Sequence, residues 1–204
     1  MKKVLLTAVA VFSLTFVNAQ EEKETTGVGF SKGNVFVSGA VGFGSSSTAD
    51  VKETSFTFSP KVGFFVTENI AVGVKLGLES TKNDDGVDTI EKTNDFSAGV
   101  FGRYYFTPSS QFSVFAQLGV DMTSSKTTTD ITGFPSMEGK SNGFGVAFAP
   151  GVNYFLSDNF AIEATWGMLG YNTSKPDVAG AESTDNFGLR LDMNSINFGL
   201  LYKF

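Results

Sequence analysis

The 204-residue chain contains no cysteine and no histidine. Without cysteine there is no disulfide framework, no thiol nucleophile and no thiolate metal site. Without histidine the Ser-His-Asp triad and imidazole-bound metals are excluded as well. The chain is therefore expected to hold no metal and no cofactor and not to be an enzyme; a carboxylate pair is the one acid–base device left to it. Past Val17 no apolar run approaches the roughly 20 residues of a membrane helix. Basic residues are outnumbered, 15 against 21 acidic. An acidic surface repels phosphate, so nucleic acid is not an expected partner.

The first residues read as a targeting segment. Met1-Lys2-Lys3 is a basic start, Val4 to Val17 is apolar, and Val17-Asn18-Ala19 ends in a small residue at the cleavage position. Thr7, Ser13 and Thr15 interrupt the apolar stretch, which is too short for an anchor helix. The expected organisation is a signal peptide over 1–19, a periplasmic N-terminal segment over 20–33 and one domain over 34–204. Removing Lys2 and Lys3 leaves 13 basic against 21 acidic residues, a net charge of −8.

What the chain has in abundance is a two-residue beat. Segments 34–44, 55–66, 70–79, 96–106, 112–122, 144–156, 160–168 and 196–204 carry an apolar residue at nearly every second position. The third is the cleanest: Ile70, Val72, Val74, Leu76 and Leu78 alternate with Ala71, Gly73, Lys75, Gly77 and Glu79. The alternate series is mostly small, polar or charged. That is the pattern of strands with lipid on one side and a narrow polar interior on the other, each needing only about 9–11 residues to cross. The predicted fold is an all-β, eight-stranded, antiparallel, up-and-down transmembrane barrel.

The connections alternate in length. Those at 67–69, 107–111 and 157–159 are short; those at 45–53, 81–93, 123–141 and about 171–186 are long and polar. Short turns in the periplasm and long loops outside match an outer-membrane barrel. Pro60-Lys-Val-Gly-Phe-Phe-Val-Thr-Glu-Asn-Ile-Ala-Val recurs as Pro150-Gly-Val-Asn-Tyr-Phe-Leu-Ser-Asp-Asn-Phe-Ala-Ile, one hairpin around a short turn. Phe64, Tyr104, Phe106, Phe112, Tyr154, Phe160, Tyr202 and Phe204 crowd these turns and read as an aromatic girdle at the membrane–water boundary.

Two features fit the pattern less well. Pro60 and Pro150 each remove a ladder donor inside a strand, so a bulge is expected at both. Phe187, Leu189 and Leu191 fall on the opposite phase to the series from Ile196 to Phe204, which places either a bulge or the start of the last strand near Met193. Periodicity alone also admits a secreted lipocalin-like barrel with its apolar face inward. The glycines of the alternate series decide for the membrane. A solvated strand face favours Thr, Lys and Glu, whereas an eight-stranded lumen has room only for packed, mostly small side chains.

The signal peptide ending Asn18-Ala19-Gln20, the Pro-x-Val-x-[Phe/Tyr]-Phe hairpins and the terminal Leu201-Tyr202-Lys203-Phe204 resemble the small outer-membrane β-barrels of the OmpX and OmpA transmembrane-domain type, and most of all the porin-like barrels of Bacteroidetes. The resemblance covers 34–204 and implies a bacterial outer-membrane location, contact with outer-membrane lipid, and insertion by the barrel assembly machinery with Phe204 as sorting signal. It implies no particular activity. A monomer is expected, since a closed barrel has no free edge.

Inward positions carry Lys61, Lys75, Arg103 and Lys203 against Glu79, Asp95, Asp121 and Glu163. A three-residue turn puts Lys61 opposite Lys75 and Asn153 opposite Glu163, with Glu163 or Glu79 in reach of the two lysines. Such a network is either a permanent plug or a salt-bridge gate for a small conductance. In the longest loop Ile131, Phe134 and Met137 stand out as apolar, either as a contact for an extracellular ligand or packing over the barrel mouth. Lys82-Asn-Asp-Asp-Gly-Val-Asp88 gathers carboxylates but lacks the spacing of a calcium loop, and Asp85-Gly86 is an ordinary turn signal. The function expected is structural or surface-interacting through the loops, the alternative a narrow channel for ions or small solutes.

Overall fold

The computed structural model describes residues 27–167, 169–189 and 196–204; the targeting segment, Met168 and Leu191 to Met193 lie outside them. The elements are β1 (Val35–Thr48), β2 (Val51–Phe65), β3 (Ile70–Asp84), β4 (Thr89–Tyr105), β5 (Phe112–Ile131), β6 (Met137–Phe155), β7 (Phe160–Trp166), β8 (Leu169–Pro176), β9 (Thr184–Leu189) and β10 (Ile196–Lys203). β7 and β8 are two halves of the seventh barrel strand, β9 and β10 of the eighth. Every ladder is antiparallel. Each strand pairs with the next, and β1 meets β10 from Phe36↔Lys203 to Gly39↔Leu200, which closes the barrel at eight strands.

Alternation sets the two faces. The large apolar series lies outside: Val41, Val72, Val100, Leu118 and Phe148 are all exposed. Strands with solvent on neither flank and no core on the outside need a lipid contact, as the sequence pattern requires. The eight girdle aromatics are exposed at the short-turn end, and Tyr104–Phe106 and Tyr202–Phe204 pack edge-to-face at 5.1 and 4.9 Å.

The long connections are not loops. β5 spans 20 residues and β6 19, roughly twice what a bilayer needs. The polar Thr/Ser-rich stretches continue the ladders instead, and the chain reverses in tight turns at 49–50, 85–88, 132–136 and 177–183. A polar sequence hides a strand because both faces beyond the lipid are wet, so the alternation loses its contrast. Gly86 and Gly133 take φ of +75° and +87° in two of these turns.

The prolines behave differently from expectation. The β1–β2 and β2–β3 registers are the same on both sides of Pro60; only the rungs of Ser59 and Pro60 to β3 are missing, with no bulge. Pro150 also stays in register with Ala116. The slip lies on the facing chain: Gly151 pairs Thr165, yet Phe148 pairs Leu169, one residue out of step. The outward series therefore passes from Trp166 to Leu169 and Tyr171. Phe187 and Leu189 pair with Tyr171 and Leu169, so the phase change noted in the last strand matches the one in the strand beside it.

The turn at 85–88 shows how a polar tip is held. Asp85 Oδ1 accepts the amide N–H of Val87, Asp88 and Thr89 at 2.9, 3.1 and 3.0 Å. These bonds, that from Thr89 first, hold the Asp85 carboxyl below the usual carboxylate range. A depressed folded value means the contribution is complete above the ordinary pKa and is lost as pH falls through the folded one. Hydrogen-exchange protection at Val87 and Thr89 should therefore weaken only below about pH 4. In Asp85→Ala it should be weak at every pH.

Candidate functional site

Inside the barrel the strands gather charge in the lumen. Four side chains meet there because their strands present them at neighbouring heights. The register sets Lys61 against Lys75 and Asn153 against Glu163. Glu163 is 4 % exposed and accepts hydrogen bonds from three residues. Arg103 binds it with two nitrogens, Nη1 to Oε2 at 2.6 Å and Nη2 to Oε1 at 2.9 Å; Lys61 Nζ lies 3.3 Å from Oε1, and Asn153 Nδ2 3.2 Å from Oε2. Arg103 also donates to Gln117 Oε1 at 2.8 Å and to the Tyr105 hydroxyl at 3.1 Å. Its guanidinium lies 4.2 Å from the Phe115 ring centre, 5.1 Å from Phe101 and 5.3 Å from Phe36. A planar cation with every face and edge engaged is held in one place.

Lys75 forms a separate pair with Asp121 at 2.7 Å. Glu79 does not reach the lysines. It sits directly opposite Asp95, and neither forms a salt bridge among the described residues. Lys203 forms no salt bridge among the described residues either: at the short-turn end it donates to the carbonyls of Gly29 and Gly27 at 2.6 and 3.1 Å. The network is thus two separate ionic clusters and one lysine on backbone. Ile131 and Met137 end and begin β5 and β6, on the inner-face phase, while Phe134 stands exposed at the turn.

Sequence reasoning missed the layer below. Phe30, Phe36, Phe65, Tyr105, Phe115 and Phe155 are all 0 % exposed and fill the short-turn end of the lumen. Phe30 comes from the segment before β1 and stacks on Phe65 at 4.6 Å, with Phe155 at 4.9 Å and Tyr105 at 5.0 Å. The segment is tied down by Phe30 N–H to Pro108 O at 2.7 Å and Gly33 N–H to Phe65 O at 2.9 Å. The signal was the doublets Phe64-Phe65, Tyr104-Tyr105 and Tyr154-Phe155: neighbours on a strand point opposite ways, so each doublet sends one ring into the lumen. Gly63, Gly73 and Gly151 make the room, since a Cβ on each would overlap the ring of Phe36, Phe101 and Phe115. On the other side of the Arg103 level a cavity of about 470 Å³ is lined by Lys61, Lys75, Gln117, Asp121, Thr165 and Asn172, among others.

Comparison with known proteins is consistent with this geometry. Residues 4–204 match the outer membrane protein beta-barrel domain. No curated protein matches the sequence. Among solved structures, a major outer membrane protein from Thermus thermophilus superposes with a TM-score of 0.53 at 12% identity, covering 84% of this chain and 99% of that one. The outer membrane protein OprG from Pseudomonas aeruginosa gives 0.51 at 13% identity over 89% and 99%. At such identities the likeness is one of fold.

Proposed function

The chain belongs to the outer-membrane protein β-barrel domain family, and from that premise we propose that it is a non-enzymatic structural and surface-interacting protein of the bacterial outer membrane, with a closed lumen. The carrying observation is the continuous stack of buried side chains across the barrel: the Phe30 layer, then Arg103 and Glu163, both under 5 % exposed. A plug packed to this depth passes no ions. What extends into the medium is the set of long hairpins, with Phe134 and Val87 exposed at their tips, and these are the surfaces for an extracellular ligand.

The cavity above the plug favours a second reading, a narrow gated channel for ions or small solutes in which the Arg103–Glu163–Lys61 cluster is the gate. Planar-bilayer recording of the folded chain from Gln20 separates the two. The closed reading expects an inserted, silent barrel, unchanged by Glu163→Gln. Discrete openings that change in Glu163→Gln would establish the gate and discard the plug.

A further inference from the structure

The outward apolar run gives way to lysine in the same way on six strands. On β3 the last large apolar residue is Leu78, the next outward residue is Ser80, and the next is Lys82. β2, β5, β6 and β8 repeat this step by step: one Ser, Thr or Asn follows the last large apolar residue, and then come Lys52, Lys126, Lys140 and Lys175; β4 gives the same order, Phe96, Asn94 and Lys92, with Ile90 beyond it. All six lysines are exposed. They face away from the lumen, because Lys61, Lys75, Arg103 and Asp121 on the other phase of the same strands face into it. Apart from Lys61, Lys75, Arg103 and Lys203, every basic residue of the described strands belongs to this belt.

The belt works against the stability of the isolated protein. Lys82 stands directly opposite Lys92, and Lys126 directly opposite Lys140. Like charges facing each other across a ladder are destabilising. Carboxylates answer three of the six, with Lys126 Nζ 2.7 Å from Glu138 and longer contacts of 3.8 Å for Lys82–Asp84 and Lys92–Asp130. Lys52, Lys140 and Lys175 form no salt bridge among the described residues. The acidic net charge of the chain conceals this sorting of lysines onto one ring.

Height identifies the occupant. Each lysine is four residues past the end of the continuous apolar run, about 10 Å above the hydrocarbon boundary for a strand rise of ~3.3 Å and a tilt of ~40°. A lysine stem lying back along the strand brings the ammonium down into the headgroup layer, about 5–8 Å thick on each side. We propose that the belt is a docking surface for the anionic phosphate headgroups of outer-leaflet lipid. The inference uses the membrane embedding and not the state of the lumen, so a conducting barrel would leave it intact.

The test is native mass spectrometry of the folded protein in neutral detergent, offered phosphatidylglycerol and phosphatidylcholine at equal concentration. Preferential retention of phosphatidylglycerol, declining as salt rises, is expected. Lys140→Gln and Lys175→Gln, which break no ion pair, should each weaken the preference by about fivefold, the equivalent of roughly 1 kcal/mol per lysine at an anionic surface. Lys140→Arg should retain it. Equal retention of the two lipids, or a wild-type preference in the folded double Gln variant, would overturn the proposal. Displacement of the lipid by inorganic phosphate at the same concentration would overturn the lipid as occupant.

Discussion

Glu163→Gln is expected to lower the stability of the folded barrel by about 3–5 kcal/mol, the range for removing one partner of a buried ion pair. The amide keeps the shape and one acceptor, so the loss is that of the charge. Two cations then remain around a neutral group. Lys61, its side chain 18 % exposed, can swing toward the cavity; Arg103, at 0 %, is packed among three aromatic rings and cannot. Most of the penalty therefore belongs to Arg103. A urea titration in lipid vesicles, followed by the gel shift that separates folded from unfolded barrels, measures it. Arg103→Met with Glu163→Met should be less destabilised than either single change, because an apolar pair leaves no orphaned charge beside the ring cluster. Additive losses in that cycle would mean that the pair does not act as one unit.

The parts of this site that could be read from sequence are those that depend on strand phase and turn length alone. Lys61 against Lys75, and Asn153 against Glu163, follow from three-residue turns and a period of two. Glu163 was also expected within reach of the lysines across the lumen, and it meets Lys61 at 3.3 Å; its main partner was not legible. Arg103 meets Glu163 from a strand three neighbours away, a contact fixed by barrel diameter and stagger and not by local pattern. Glu79, as good a partner by sequence, is too high. The polar hairpins were read as loops because alternation carries information only where the two faces have different solvents. Phe30 was invisible for another reason: it precedes the first strand, and no periodicity extends to a single residue that inserts into the end of a barrel.

On the proposed closed reading, that residue makes the seal a series of two barriers, and the largest functional change should appear only when both are removed. Phe30→Ala takes away a fully buried ring, worth about 3–5 kcal/mol in a core that cannot relax. Here the loss is expected to be capped, since residues 27–33 precede β1 and their detachment breaks no rung of a ladder. Detachment also frees Lys203, whose ammonium is bound to the carbonyls of Gly29 and Gly27. The folded fraction should change little, while the Phe30 amide loses its hydrogen-exchange protection. In planar bilayers Phe30→Ala alone should stay silent, because Arg103, Glu163, Phe101 and Phe115 still span the lumen above it. Arg103→Ala with Glu163→Ala should also stay silent behind the intact aromatic layer. Current is expected in the three-residue combination, where the 470 Å³ cavity gains a route past both levels. A conducting Phe30→Ala would make the ionic level no barrier at all. A folded triple variant that remained silent would place the seal in the ring cluster of Phe36, Phe65, Tyr105 and Phe155 itself.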